Sequence, residues 1–381
     1  MKDKKHKITV AHLDTEKGFR GGENQIRFLL EGLKNDDDIE NVFIGQPDGK
    51  AIERFNNICK CIPLKMSGGV DVRAALRLKK LAKEYKIDIV DAHSGNAHSI
   101  ALLAKICGAG FKLIVHRRVD NVPSNNFINR FKYLSHHISK YVCISGAISK
   151  IISSFGVDVD KIETVKSAVD SRFYDENNHL KEKFKNIFSQ AYRLPLEKKW
   201  VCCAAAFTEQ KGYDTLIRAW SLIEPRLKEN NALVIAGDGE LLGASKELCN
   251  ELKMQDDIHF LGWIDNAPEL LIASDVFAMS SNWEGLGTIL LEASFAKLAL
   301  CSTEVGGIPE VVVRNKTGLL SNVKDAVEFA KNLTDILTNE HLIKEFGDNA
   351  YKHAKEKFSL ETMIAGNKSI YLKLFQECKS V

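Results

Sequence analysis

Hydrophobic positions along the chain follow two rhythms. Short, nearly unbroken apolar runs alternate with longer stretches in which apolar residues return every three or four positions. The first kind reads as buried strands and the second as helices that cover them. In the first half, 7–13 (KITVAHL), 41–47 (NVFIGQP), 61–65 (CIPLK), 88–94 (DIVDAHS), 112–118 (KLIVHRR), 141–145 (YVCIS) and 162–168 (IETVKSA) are expected strands. Between them, 24–33, Asp71 to Tyr85, 98–108 and Gly146 to Phe155 are expected helices. Residues 171–199 break the rhythm with dense charge and a proline, and read as a linker carrying a surface helix. The alternation then restarts with strands at 200–207, 232–239, 258–263, 276–281 and 298–303, each followed by a helix. Strands alternating with helices imply parallel sheets covered on both faces. The expected architecture is two consecutive doubly wound α/β domains, 1–170 and 200–358, with 171–199 as linker and 359–381 as an amphipathic last helix.

One position defies the pattern. The helix after the run 276–281 carries Ile289, Leu290, Leu291, Ala293 and Phe295, and Glu292 interrupts that apolar face. An ionised carboxylate among aliphatic side chains is costly unless something pairs with it. An ordinary core ion pair is one answer. A second carboxylate, Glu284, stands beside Gly285 and Gly287 where the helix begins, and free N–H groups at a helix start suit an anionic or hydroxyl-rich ligand. The stretch reads as a ligand site.

Length and charge sharpen the picture. A chain of 381 residues exceeds one ordinary core. No apolar run reaches the roughly 18–20 residues that span a bilayer, and the basic start MKDKKH runs into the first strand without an apolar leader core. A cytoplasmic protein is expected. Nine scattered cysteines without a CxxC pair suggest buried free thiols rather than zinc or a redox pair. Residues 51–150 hold 17 Lys and Arg against 6 Asp and Glu, while the chain after 170 is mildly acidic. A basic first half suits an anionic partner: nucleic acid, an anionic lipid surface or a phosphorylated acceptor. Within it, 124–140 mixes Phe127, Ile128, Phe131, Tyr133 and Leu134 with Arg130, Lys132 and Lys140 and has no acidic residue. That suits either a membrane-surface segment or a core-facing helix with a solvated basic side.

Other candidate chemistry lies at strand ends, where open α/β sheets bind ligands. Gly21 and Gly22 follow the first strand and permit close backbone approach, although Gly18, Gly21 and Gly22 do not fit GxGxxG. Lys211 and Gly212 follow the first strand of the second domain, where an ammonium can neutralise phosphate. Gly237-Asp238-Gly239 equally suits a tight turn. His12, His93, His98 and His116 gather at one edge of the first sheet, and Arg117, Arg118 and Asp120 follow His116. Arginine binds phosphate bidentately; a structural Arg–Asp bridge is the alternative.

Together these residues resemble the retaining glycosyltransferases of family 4, which have the GT-B fold. The specific element is the E-x7-E signature, Glu284 and Glu292 in EGLGTILLE, accompanied by FLGW (260–263), ASDVFAMSSNWEG (273–285), GGIPEVV (306–312), QKG around Lys211 and GDGE (237–240). The resemblance covers nearly the whole chain. It implies two Rossmann-like domains facing a central cleft, with the last helix crossing back to the first domain. It also implies Glu292 on the donor ribose, Glu284 on donor sugar hydroxyls with Gly285, Leu286 and Gly287 close by, and Lys211 on the diphosphate. Gly262, Trp263 and Ile264 would form the base-contacting edge, Gly22 would approach phosphate or acceptor, and His116 would face the donor sugar.

The chain departs from the family twice. An Arg that many members carry before the Lys falls among Ala205, Ala206 and Phe207, so Arg117 or Arg118 is a candidate replacement at the diphosphate. Lys166 to Asp170 reads KSAVD where members have Asn-Gly-Val-Asp. The resemblance implies transfer of a sugar from a nucleotide-diphosphate sugar to a glycan or lipid-linked acceptor, as in lipopolysaccharide or capsule synthesis. It implies no cofactor beyond that donor, no metal and no nucleic acid, with a place in the cytoplasm that admits peripheral contact with the inner membrane face. A non-hydrolysing sugar-nucleotide epimerase is the alternative within the fold. An NAD-dependent oxidoreductase would need the missing GxGxxG with its acidic partner, and a non-catalytic sugar- or RNA-binding protein would use the basic span alone.

Overall fold

The computed structural model describes residues 7–379; Met1–His6, read above as a basic lead into the first strand, lie outside the described residues. Two compact units divide the chain. The first runs to Ser167 and resumes at Leu360, and the second is Ala168–Ser359.

The first unit holds seven parallel strands: β1 (Ile8–Leu13), β2 (Ile39–Gly45), β3 (Lys60–Pro63), β4 (Ile89–Ala92), β5 (Lys112–Arg117), β6 (Ile138–Cys143) and β7 (Ile162–Thr164), in the order β3-β2-β1-β4-β5-β6-β7. The second holds β8 (Lys199–Ala204), β9 (Asn231–Ala236), β10 (Ile258–Gly262), β11 (Val276–Met279), β12 (Ala299–Thr303) and β13 (Gly318–Ser321), in the order β10-β9-β8-β11-β12-β13. Each sheet reverses its winding once, between β1 and β4 and between β8 and β11. Such a reversal opens a crevice at the carboxyl ends of the two strands. The two doubly wound domains expected from the alternation are therefore present.

The cores follow from the runs. β9 is buried along its whole length, and Trp200 on β8, Phe277 on β11 and Leu300 on β12 are fully buried. Helix Tyr213–Leu222 lays Leu216, Ile217 and Trp220 against one face of this sheet, in a core with Val201, Leu233 and Ile235. Residues 171–199 fold as helices Arg172–Asn177 and Lys181–Tyr192, bury Tyr174 and Phe188, and count with the second unit. The helix expected from Asn24 begins at Gly21, because the Glu23 carboxylate accepts the Arg20 N–H at 2.5 Å and closes the helix start around two glycines. The segment 124–140 is not one helix: Phe127–Tyr133 is helical, and β6 starts at Ile138 after a turn through the two histidines.

The last helix, Leu360–Lys379, belongs to the first unit and packs on helix Gly21–Gly32 and on β1. Gly32 makes room for it, since a Cβ there would lie 2.2 Å from Ile364 Cδ1. Lys368 bridges to Asp36 at 2.6 Å and Asp38 at 3.4 Å, and Tyr371 is fully buried.

Candidate active site

In the second unit, the loops leaving β8 and β11 are tied together at the winding reversal. Gly212 adopts φ +58°, and a Cβ there would lie 2.3 Å from the Ser280 carbonyl. Ser280 Oγ donates to Gly212 O at 2.7 Å, and Asn282 Nδ2 donates to Glu209 O at 2.7 Å. This seam brings the Lys211 ammonium onto the Glu284 carboxylate in a close ion pair, both side chains largely buried. Gly285, Leu286 and Gly287 are buried behind Glu284. Gly287, at φ +82°, caps helix Thr288–Phe295, and the close packing of Gly307 on the Gly285 carbonyl leaves no room for a side chain.

Glu292, about one turn into that helix, is half-buried. Burial raises its carboxyl above the ordinary value, opposed by a hydrogen bond from Tyr174 Oη at 2.9 Å. The answer to the interrupted apolar face is thus a phenol rather than a core cation. Burial and the Glu292 charge in turn push the Tyr174 hydroxyl far up. Trp263 is 73% exposed beyond β10, Gly262 takes φ +71°, and Ile264 turns inward. Where the family carries its Arg, Phe207 is buried and stacked on Tyr213 at 4.0 Å, and Ala206 is exposed.

In the first unit, the histidines form a buried chain whose proton positions follow from its ends. Asn41 Nδ2 donates to Leu33 O, so Asn41 Oδ1 faces His12 and makes His12 Nε2 the donor, at 3.1 Å. His12 Nδ1 then accepts from His93 Nε2 at 3.1 Å, and His93 Nδ1 accepts from Arg118 Nη2 at 3.1 Å. Burial keeps His12 and His93 below the ordinary histidine value, which fits this neutral relay. Asp91, fully buried, accepts from His116 Nε2 at 3.0 Å and from Tyr371 Oη at 2.6 Å. Burial works against ionisation of Asp91, but the surrounding histidines, His116 first, hold its carboxyl below the usual range. Among the described residues His116 Nδ1 has no hydrogen-bond partner; in the neutral ring, with Nε2 donating to Asp91, Nδ1 is left as an acceptor.

Arg118 lies beside the helix start, its Cδ 4.0 Å from where a Cβ of Gly22 would be. Nearby, Asp14 accepts the Thr15 N–H at 2.8 Å through Oδ1 while Oδ2 has no hydrogen-bond partner among the described residues, and burial pushes its carboxyl up to about 6. Arg117 is differently occupied: it donates to Tyr133 Oη at 3.0 Å and clamps Asn121. Of the two arginines weighed for phosphate, Arg117 serves its own loop. His98 also departs from expectation. It sits in helix Gly95–Ile106 against Tyr133 and Tyr141, apart from the other three histidines. Ligand atoms of His12, Asp91 and His93 lie within 4.8 Å of one another, a spacing open to a metal ion. The relay already uses both nitrogens of each histidine, and the Arg118 charge balances Asp91, so a divalent ion would have to displace that network.

Residues 19–173 match the family described as Glycosyltransferase Family 4, and residues 184–353 match Glycosyl transferases group 1. The fold is shared with a crystal structure of a glycosyltransferase from Rickettsia africae, at TM-score 0.84 and 22% identity over 97% of this chain and 99% of that one. The chain is a GT-B glycosyltransferase. It is 26% identical to the N-acetyl-alpha-D-glucosaminyl L-malate synthase of Bacillus anthracis, over 81% of each chain. It is also 26% identical to the UDP-Gal:alpha-D-GlcNAc-diphosphoundecaprenol alpha-1,3-galactosyltransferase of Escherichia coli, over 79% of each. This glycosyltransferase moves a sugar from a nucleotide-diphosphate sugar to an acceptor.

Sequence reasoning did not single out Tyr174, Asp14, Asp91 or Tyr371 in the glycosyltransferase. Asp91 was within reach: it interrupts the apolar run 88–94 just as Glu292 interrupts its helix. Tyr371 carried no local signal, because its partner is 280 positions away.

Proposed function

We propose that the second unit binds the donor at the Lys211–Glu284 pair, with transfer retaining the anomeric configuration and a glycan or lipid-linked acceptor of surface-glycan synthesis. The pair itself carries the reading: an ammonium and a carboxylate meet at the winding reversal of the sheet, each largely buried and each the natural partner of a different part of a sugar nucleotide. The donor diphosphate takes Lys211 from Glu284, and the carboxylate freed by that exchange accepts from donor sugar hydroxyls. Lys211 then stabilises charge growing on the departing diphosphate. Gly285, Leu286 and Gly287 bring backbone close to the sugar, Glu292 accepts from the ribose, and Gly262, Trp263 and Ile264 border the base. In the first unit, His116 Nδ1 accepts from a substrate hydroxyl, while Gly22 and Arg118 meet an anionic group. No nucleophilic side chain is assigned; attack comes from the face the diphosphate leaves, and the diphosphate takes the acceptor proton. The Escherichia coli relative, named for a diphosphoundecaprenol acceptor, supports the lipid-linked class and a workplace at the cytoplasmic membrane face.

A thermal-shift panel of UDP-, GDP- and ADP-sugars tests the assignment. One donor class should raise the melting temperature of the parent, and Lys211→Met and Glu292→Ala should each reduce that shift at least fivefold. No shift with any donor, or full shifts in both variants, overturns the reading.

A further inference from the structure

A buried thiol is inert, whereas a reactive one is partly exposed and has neighbours that favour the thiolate. Among the described residues, Cys143, Cys202, Cys203, Cys249 and Cys301 are buried, as expected from the sequence, and burial raises the thiol of each. Cys59 and Cys61 depart from that expectation. Both are partly exposed, Cys59 in the bend before β3 and Cys61 within β3, the edge strand of the first sheet. Positions i and i+2 of an extended segment face the same side. Their Cα atoms are about 6.6 Å apart, within the range that a disulfide accepts. Cys61 Sγ lies 3.7 Å from the Cys59 carbonyl, to which it donates. The Cys59 thiol, hydrogen-bonded to Cys61, holds Cys61 below the ordinary thiol value. The same bond, together with burial, holds Cys59 above it. An accessible thiolate beside a second thiol that can resolve it is the arrangement of a redox-sensing pair.

The pair also touches the glycine loop. Cys59 and Cys61 pack on a small cluster of Ile26, Leu30, Phe43, Ala51 and Phe55, and Phe19 packs on the same cluster. Phe19 belongs to the loop that runs into Gly21 and Gly22. Its ring meets Phe55 edge-on at 5.9 Å between centroids and lies under the Arg54 guanidinium at 4.1 Å. Ile26 and Leu30 stand on the helix that this loop opens. Two sulfurs in hydrogen-bond contact must close to about 2.05 Å to form a bond, and close-packed neighbours feel such a shift. Closing the ring therefore draws both sulfurs away from the aromatic cluster that seats Phe19.

We infer that Cys59 and Cys61 are a site of reversible oxidation, joined by hydroperoxides into an intrachain disulfide that loosens the glycine loop. The Cys61 thiolate attacks a peroxide oxygen, the O–O bond breaks, and the departing oxygen leaves as water, with Cys61 now a sulfenic acid. The Cys59 sulfur then attacks the Cys61 sulfur and expels the hydroxyl as a second water. Two thiols thus give two electrons and two protons to one peroxide, and exchange with a dithiol reductant reverses the change. The inference is independent of the donor assignment. The full chain is treated with a tenfold excess of hydrogen peroxide, unfolded, alkylated and cut with trypsin, which separates the two cysteines after Lys60. The oxidised parent should lose two alkylated thiols and yield residues 55–60 linked to 61–65, a link that dithiothreitol releases. Dimedone, which traps sulfenic acids, should label Cys61 in Cys59→Ser at least tenfold more than Cys59 in Cys61→Ser. Hydrogen exchange of amides 18–26 should quicken at least threefold in the oxidised parent and stay unchanged in peroxide-treated Cys61→Ser. A full thiol count in the treated parent overturns the inference, as does linkage through Cys107 or between two chains on a non-reducing gel. So does a linked pair that leaves exchange in the loop unaltered.

Discussion

Ala206 and Asp14 show how single positions set the chemistry of each unit. Ala206 is exposed just past β8, where the resembling family carries a guanidinium, and Phe207 beside it is locked in a stack with Tyr213. In the proposed donor site Lys211 then meets the diphosphate without an arginine from its own loop. Ala206→Arg should restore a charge-assisted bond, which contributes about 1.5–3 kcal/mol, and tighten nucleoside diphosphate binding by about tenfold or more in titration calorimetry. An unchanged affinity would mean that the diphosphate lies beyond reach of that loop. Asp14 has its carboxyl raised from 3.8 to about 6. Below pH 4 it is protonated folded or unfolded and favours neither state. As pH rises through 6 the folded state must ionise a buried group, so Asp14 costs stability at neutral pH. Asp14→Asn should be more stable than the parent at pH 7 by on the order of 2 kcal/mol, and the gain should vanish near pH 4 in urea titrations. A gain of equal size at both pH values would contradict this account.

At the level of elements, the last helix does more than cover the sheet. Its Tyr371 hydroxyl is one of two donors to the Asp91 oxygen that also holds His116. Tyr371→Phe keeps the ring and removes one bond to a buried charge, so it should destabilise the protein by about 1.5–3 kcal/mol. Amide exchange within Leu360–Lys379 should quicken along with the shift in denaturant midpoint. A change below 0.5 kcal/mol would show that His116 alone satisfies Asp91. Elements were legible in the sequence where one physical effect dominated. The run read as a strand at 232–239, which forms β9, and the helix read from Asp71 to Tyr85, which forms Val72–Glu84 behind the Asp71 cap, are of that kind. They were misread where a distant or unusual contact decided the outcome. The two glycines that Glu23 closes into a helix start, and the seven-residue helix Phe127–Tyr133 that stops short of β6, belong to this second kind.

For the whole molecule, the two-sheet architecture was written in the alternation of runs, and the Lys211–Glu284 seam lay at a strand edge where ligand sites were expected. The buried network of the first unit was not legible, since it joins β1, β4, β5 and the last helix through contacts that no spacing rule connects. That network has a consequence for how the protein is made. The first unit is discontinuous, ending at Ser167 and resuming at Leu360. During synthesis its sheet leaves the ribosome long before Tyr371 does. Asp91 must wait through the emergence of the entire second unit for its phenol, and helix Gly21–Gly32 waits equally for the side chains that fill the space above Gly32. The second unit, continuous in sequence, can complete its core while the first is still open along one face. The sheet of the first unit is therefore sealed only by a helix that is translated after the whole second unit.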